Sequence, residues 1–200
     1  MNIGQGRGTW QGDKMQEHTD LERQGKDLTG MSVISIREGR RLGEVTALLV
    51  RREDAAVEAV RVGNQLSAGP AIPFGNLRLI GVDVVLVDSS AALDPPLPTE
   101  AVKQLDDGLT GRAVLTAGGE RIGSISGFWV NTADGRITAY RVHPEAGILS
   151  RLSNLLRRDT FEVPAEQVQA LGPAALIVLD AAVQDTGSTE EQSTDNSSAE

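Results

Sequence analysis

The residues of this 200-residue chain whose types suit chemistry are few: two histidines, some paired carboxylates and a glycine-rich stretch near the N-terminus. Gly4-Gln5-Gly6-Arg7-Gly8 has the composition of a phosphate-cradling loop, where bare backbone amides surround an anion. Such a loop must follow a strand and open a helix. This one lies in a polar stretch without either signal, so no nucleotide cofactor is expected. Glu53-Asp54 and Asp106-Asp107 have no evident partner base, and adjacent carboxylates in polar turns act as solvated or capping groups. His143 ends an apolar run beside Pro144, and the matching position earlier in the chain is Gly63, which gives it a structural reading. With no cysteine and only His18 and His143, neither a thiolate nor a histidine metal centre is expected. The reading is therefore a protein with no catalytic, cofactor or metal site, and no enzyme.

One segment has the chemistry of a contact surface. Gly147–Arg158 reads GILSRLSNLLRR, which sets Ile148, Leu152, Leu155 and Leu156 on one helical stripe with Arg151, Arg157 and Arg158 beside it. A basic amphipathic helix docks on an acidic partner or lies on an anionic membrane; packed inward, its leucines would instead cap a neighbouring domain. These seven residues are the candidate partner-binding set.

The formal net charge is −9, with Asp185, Glu190, Glu191, Asp195 and Glu200 unopposed in the last eighteen residues. An acidic balance argues against direct nucleic-acid binding, which depends on lysine and arginine neutralising phosphates. The longest apolar runs, around Val82–Val87 and Ala174–Ala182, are too short to span a bilayer. Met1–Trp10 has no hydrophobic stretch, so no secretory signal is expected and a cytoplasmic location is the default.

The elements that would position any site come from an internal repeat. Leu28-Thr29-Gly30 matches Leu109-Thr110-Gly111, and Arg41-Leu42-Gly43-Glu44-Val45 matches Arg121-Ile122-Gly123-Ser124-Ile125. The register then holds through Val50/Val130, Asp54/Asp134 and Arg61-Val62/Arg141-Val142. Ile72-Pro73 corresponds to Val163-Pro164 and Gly81 to Gly172, each glycine followed by an apolar strand. The β-branched runs Glu44–Val50, Val57–Val62, Ser124–Val130 and Ile137–Val142 predict strands. Asp134-Gly135 predicts a tight hairpin, whereas Asp54-Ala55 predicts a turn of another type. Pro73 and Pro164 should each open one turn of helix or an edge. The expected layout is a flexible segment over 1–26, a first domain over 27–93, a linker with a short helix over 94–107, a second domain over 108–182 and a disordered acidic tail over 183–200.

The order LTG, Gly-x-x-x-Gly turn, Asp turn, Ile/Val-Pro and closing Gly-apolar strand, met twice, resembles the PRC-barrel domain. The resemblance covers nearly all of residues 28–182. It implies an all-β chain of two small barrels in tandem, with minor helical segments, and a role in protein–protein contact or assembly. The family also includes part of a photosynthetic reaction-centre subunit and a domain of a ribosome maturation factor. The chain lacks the membrane helix of the one and the separate N-terminal domain of the other. The expected function is a non-enzymatic adaptor with a protein partner. The alternatives are a ribosome- or RNA-associated factor, pointed to by Arg40-Arg41, Arg51-Arg52 and Arg157-Arg158, and a peripheral membrane regulator acting through 147–158. Self-association stays open. The barrels should pack about an approximate twofold axis through an apolar face, with Leu48-Leu49 and Phe128-Trp129 at equivalent stations. A fully buried Trp129 would cost roughly 3 kcal/mol or more to truncate.

Overall fold

A computed structural model describes residues 21–63, 69–93, 98, 101–102, 105–145 and 159–180. Its strands, in chain order, begin with β1 (Glu22–Gln24), β2 (Ser32–Ser35), β3 (Arg41–Arg51), β4 (Ala56–Gly63), β5 (Ala71–Pro73), β6 (Leu77–Ile80) and β7 (Val84–Val87). They continue with β8 (Ala113–Thr116), β9 (Arg121–Asn131), β10 (Ile137–Pro144), β11 (Phe161–Pro164), β12 (Val168–Leu171) and β13 (Ala175–Val178). The first copy forms a sheet in the order β5-β4-β3-β2-β7-β6, and the second repeats it as β11-β10-β9-β8-β13-β12. All pairings are antiparallel except β2 with β7 and β8 with β13. The chain is all-β, two barrels of one topology in tandem.

The long strands bend at matched places. Between β3 and β4 the register slips after Val45 and again after Leu49, leaving Thr46 and Glu58 as extra residues. Between β9 and β10 it slips at the equivalent points, leaving Ser126 and Thr138. Such bulges sharpen twist and curl a sheet toward closure. Leu48, Leu49 and Val50 are all buried although consecutive on a strand, because Leu48 and Val50 join the main core and Leu49 a second apolar cluster. The hydroxyls of Thr46 and Ser126 fasten the first bulge by donating to the carbonyls of Arg61 and Arg141 at 3.3 and 3.2 Å. Gly43 and Gly123 lie where the long strand crosses its neighbour closely. A Cβ there would sit 2.8 Å from the Gly63 carbonyl oxygen, or 2.2 Å from that of His143. The glycine of the repeat is thus a packing requirement. Pro73 and Pro164 each lead into one 3-10 turn, Phe74–Asn76 and Ala165–Gln167, as expected.

The two hairpins differ less than their sequences predict. Gly135 is left-handed at φ 77°, and Ala55 takes the same conformation at φ 49°. The expectation of a different turn type for Asp54-Ala55 is corrected: the partner copy fixes this backbone. Val57 donates its amide to the Gly135 carbonyl at 2.8 Å, and Ile137 donates to the Ala55 carbonyl at 2.9 Å. Ala55 and Gly135 are equivalent, as are Val57 and Ile137, so the two bonds are mirror uses of one contact. That reciprocity marks the pseudo-twofold axis, beside the Ala56–Arg136 bridge.

The lead-in segments cross between barrels. β1 precedes the first copy but pairs with β9 of the second, Arg23 opposite Val130 and Gln24 opposite Trp129. Asp106 precedes the second copy but bridges Val50 of the first, each amide donating to the other's carbonyl at 2.8 Å. Val50 and Val130 are equivalent stations. Residues 21–26 are therefore ordered structure, β1 followed by a single helical turn Gly25–Leu28, and not part of a flexible segment. Their polar sequence gives no apolar pattern because the strand is held by backbone pairing.

This exchange also corrects how the outer apolar stations are covered. Leu49, with Ala59 and Ala71, is covered by Val102 and Leu105 of the segment between the copies, where Ala101 and Val102 are helical. Trp129 lies under β1, half-buried, its indole N–H donating to Glu162 Oε1 at 2.8 Å with the Arg141 guanidinium 5.6 Å above its ring. Since it is not fully buried, the full truncation cost does not apply. The inner cores, from Val33 and Ile72 to Val114 and Leu176, join into one continuous apolar cluster.

Candidate functional site

The seven residues marked as the candidate partner-binding set, Ile148, Arg151, Leu152, Leu155, Leu156, Arg157 and Arg158, lie outside the described residues, as do Gly4–Gly8 and His18. Asp54 and His143 have structural partners. Asp54 is paired with Arg51 at 2.6 Å, and that guanidinium holds its carboxyl below the usual carboxylate range. His143 places Nδ1 2.9 Å from the Asp159 carbonyl. Among the described residues there is no cluster of three or more histidine and carboxylate side chains that could hold a metal.

Asp106-Asp107 is a junction between the copies. The side chains of Asp106 and Arg112 are only 10% and 8% exposed and form an ion pair. Arg112 also donates to the carbonyls of Gly172 at 2.7 Å and Gly108 at 3.1 Å. Burial raises the Asp106 pKa, but the Gly108 amide and the Arg112 guanidinium outweigh it and hold the carboxyl below its ordinary value. Asp107 pairs with Arg61 at 3.1 Å. The equivalent Arg141 donates to Gln24 at 3.0 Å and meets Glu162 at 3.3 Å. The arginine shared by both repeats therefore grips the lead-in segment of the other copy each time.

Between the barrels opens a cleft of about 460 Å3, and most of its lining residues fall in equivalent pairs. Lys26 on one rim corresponds to Asp107 on the other, and Thr29 to Thr110. The bulge residues Thr46 and Ser126 both line it, followed by Ala47 and Gly127, then Leu48 and Phe128. The cleft therefore lies on the pseudo-twofold axis and exists only because the module is doubled. Its lining mixes apolar side chains with hydroxyl residues. The sequence repeat contains every one of these pairs, yet periodicity alone gave no sign that they converge.

Tyr140, the chain's single tyrosine, is fully buried, and its hydroxyl has no hydrogen-bond partner among the described residues. Burial pushes its phenol well above the ordinary value, against a smaller opposing pull from Arg112. Because the folded value is raised, this group destabilises the fold only as pH rises past the unfolded value near 10. Tyrosinate absorbance in the native protein should stay flat through that pH and appear with unfolding. Tyr140→Phe should stabilise by about 1 kcal/mol, since it removes an unmet hydroxyl from the core. Titration of the native phenol near pH 10 would contradict this burial.

Two bulged barrels of one parallel-closed topology, joined by exchanged lead-ins, define the class as a tandem small β-barrel protein. The profile of the PRC-barrel domain matches residues 21–94 and again 106–181, and the chain belongs to that family. Both matches include the lead-in residues, 21–26 and 106–107, that cross between barrels. No curated protein matches the chain. PRC-barrel domains are typically non-enzymatic protein-interaction modules. Among the described residues no helix is long and apolar enough to cross a membrane.

Proposed function

We propose that this protein is a cytoplasmic, non-enzymatic adaptor whose two barrels act as one rigid core for assembling a protein partner. The observation that carries the reading is the reciprocal exchange of lead-in segments, which fixes two interaction modules in a single orientation. A fixed core presents composite surfaces that neither copy has alone, and preorganisation lowers the cost of binding. The basic segment 147–158 supplies a second contact, with Arg151, Arg157 and Arg158 toward acidic groups and Ile148, Leu152, Leu155 and Leu156 toward an apolar groove.

The ion pairing favours this reading over an RNA-binding one. Arg41 is paired with Glu44, Arg51 with Asp54 and Glu58, and Arg52 approaches Asp106 at 3.8 Å. Arginines neutralised in this way add little to phosphate binding. Affinity capture on the full chain from native lysate tests the reading. A stoichiometric protein partner is expected, and its binding should weaken when Arg151, Arg157 and Arg158 are replaced by glutamate. Recovery of no stoichiometric partner across mild salt conditions would overturn it.

A further inference from the structure

We propose that the cleft on the pseudo-twofold axis is the docking site for an acidic segment of the partner that inserts one bulky apolar side chain. This rests on the adaptor reading and names the surface and the chemistry it selects. The lining of the cleft includes Leu48 and the half-buried Phe128, and its volume of about 460 Å3 suits a large side chain with flanking backbone. Phe128 is the chain's one phenylalanine that is not buried, Phe74 and Phe161 both being interior.

Charge selects the flanks of that segment. Lys26 stands exposed on the rim with no ion pair among the described residues. The opposing Asp107 is already engaged by Arg61, so the lining presents one uncompensated cation. The Thr110 hydroxyl also lines the cleft and can donate to a carboxylate, whereas the Thr29 hydroxyl already donates to the Gly25 carbonyl at 3.4 Å. In a chain of net charge −9 this local cation is the feature that would draw an acidic segment and reject a basic one.

A site-specific block is available. A Cβ built at Gly127 meets nothing within 4 Å, so a large side chain there projects into the cleft without disturbing the core. The test titrates isotope-labelled full-length protein with two short synthetic peptides, each with a central Leu-Phe, one flanked by aspartate and glutamate and the other by lysine and arginine. The acidic peptide should shift the amides of Lys26, Thr29, Thr110 and Phe128. Lys26→Glu should weaken it roughly tenfold. Gly127→Phe should abolish it with the melting temperature unchanged. No saturable shift at millimolar acidic peptide, shifts confined to other surfaces, or equal binding of the basic peptide would each overturn the assignment.

Affinity capture separates this proposal from the broader one. Equal capture of a partner by wild type and Gly127→Phe would remove the cleft as its site and leave the adaptor reading standing. Peptide binding in the cleft without any captured partner would do the reverse.

Discussion

Replacing Arg112 with methionine, the residue that the first copy carries there as Met31, should destabilise the protein by about 3–5 kcal/mol. The loss comes from Asp106, left nearly buried with only the longer 3.8 Å approach of Arg52, and from the Gly172 and Gly108 carbonyls, which lose their donor. Asp106 belongs by backbone to the first barrel, through its bridge to Val50, and by side chain to the second. The loss should therefore lower the melting of both barrels together. Changing both partners, Arg112→Met with Asp106→Leu, should recover part of it, because the buried carboxylate is then gone while the two carbonyls still lack their donor. The pH dependence follows from the depressed Asp106 value. The pair's contribution is present above the ordinary carboxylate range and is lost as pH falls through the folded value below it. Arg112→Met should flatten that acid limb. Chemical denaturation of the single and double variants between acid and neutral pH checks all three statements; a loss under 1 kcal/mol for the single variant would show that the pair is dispensable.

Gly135→Ala should cost about 2–5 kcal/mol. The left-handed backbone alone costs about 1–2 kcal/mol for a residue with a Cβ. The added methyl would also stand 2.8 Å from the Val57 carbonyl oxygen and 3.0 Å from the Phe74 ring, both in the other barrel. Overpacking of that kind adds about 1–3 kcal/mol. Its pseudo-symmetric partner behaves differently. Ala55 already carries a Cβ in the left-handed region, so Ala55→Gly exchanges relief of strain for chain entropy and should change stability by less than about 1 kcal/mol. Equal costs at the two positions, measured by denaturant unfolding, would contradict this account of the hairpin contact.

Much of each barrel was legible because its signals are local. The β-branched runs gave β3, β4, β9 and β10 within a few residues, and the repeat supplied the alignment that made two barrels of one topology the natural reading. The glycines Gly43 and Gly123 stood out as one matched station of the repeat, and the close strand crossing explains them. The junction was not legible. β1 is Glu-Arg-Gln, without an apolar residue to betray a strand, and its pairing energy lies in backbone bonds to a sheet more than 100 residues away. The Asp106–Arg112 pair reads in sequence as a turn carboxylate and an unremarked arginine in place of Met31. The bulges left one trace, a hydroxyl residue at the same station twice, Thr46 and Ser126, which could have been read as a bulge anchor. The cleft follows from these three features together, so it could not be seen while they were hidden.

The central claim is that the exchanged lead-ins make the two PRC-barrels one cooperative body. Differential scanning calorimetry of the full chain tests it most directly, because a single body must unfold in a single transition whose calorimetric and van't Hoff enthalpies agree. That is the predicted result, and Arg112→Met should shift the one transition downward without splitting it. Two resolved transitions in the unmodified protein, or a calorimetric enthalpy well above the van't Hoff value, would show barrels that unfold separately and would contradict the account.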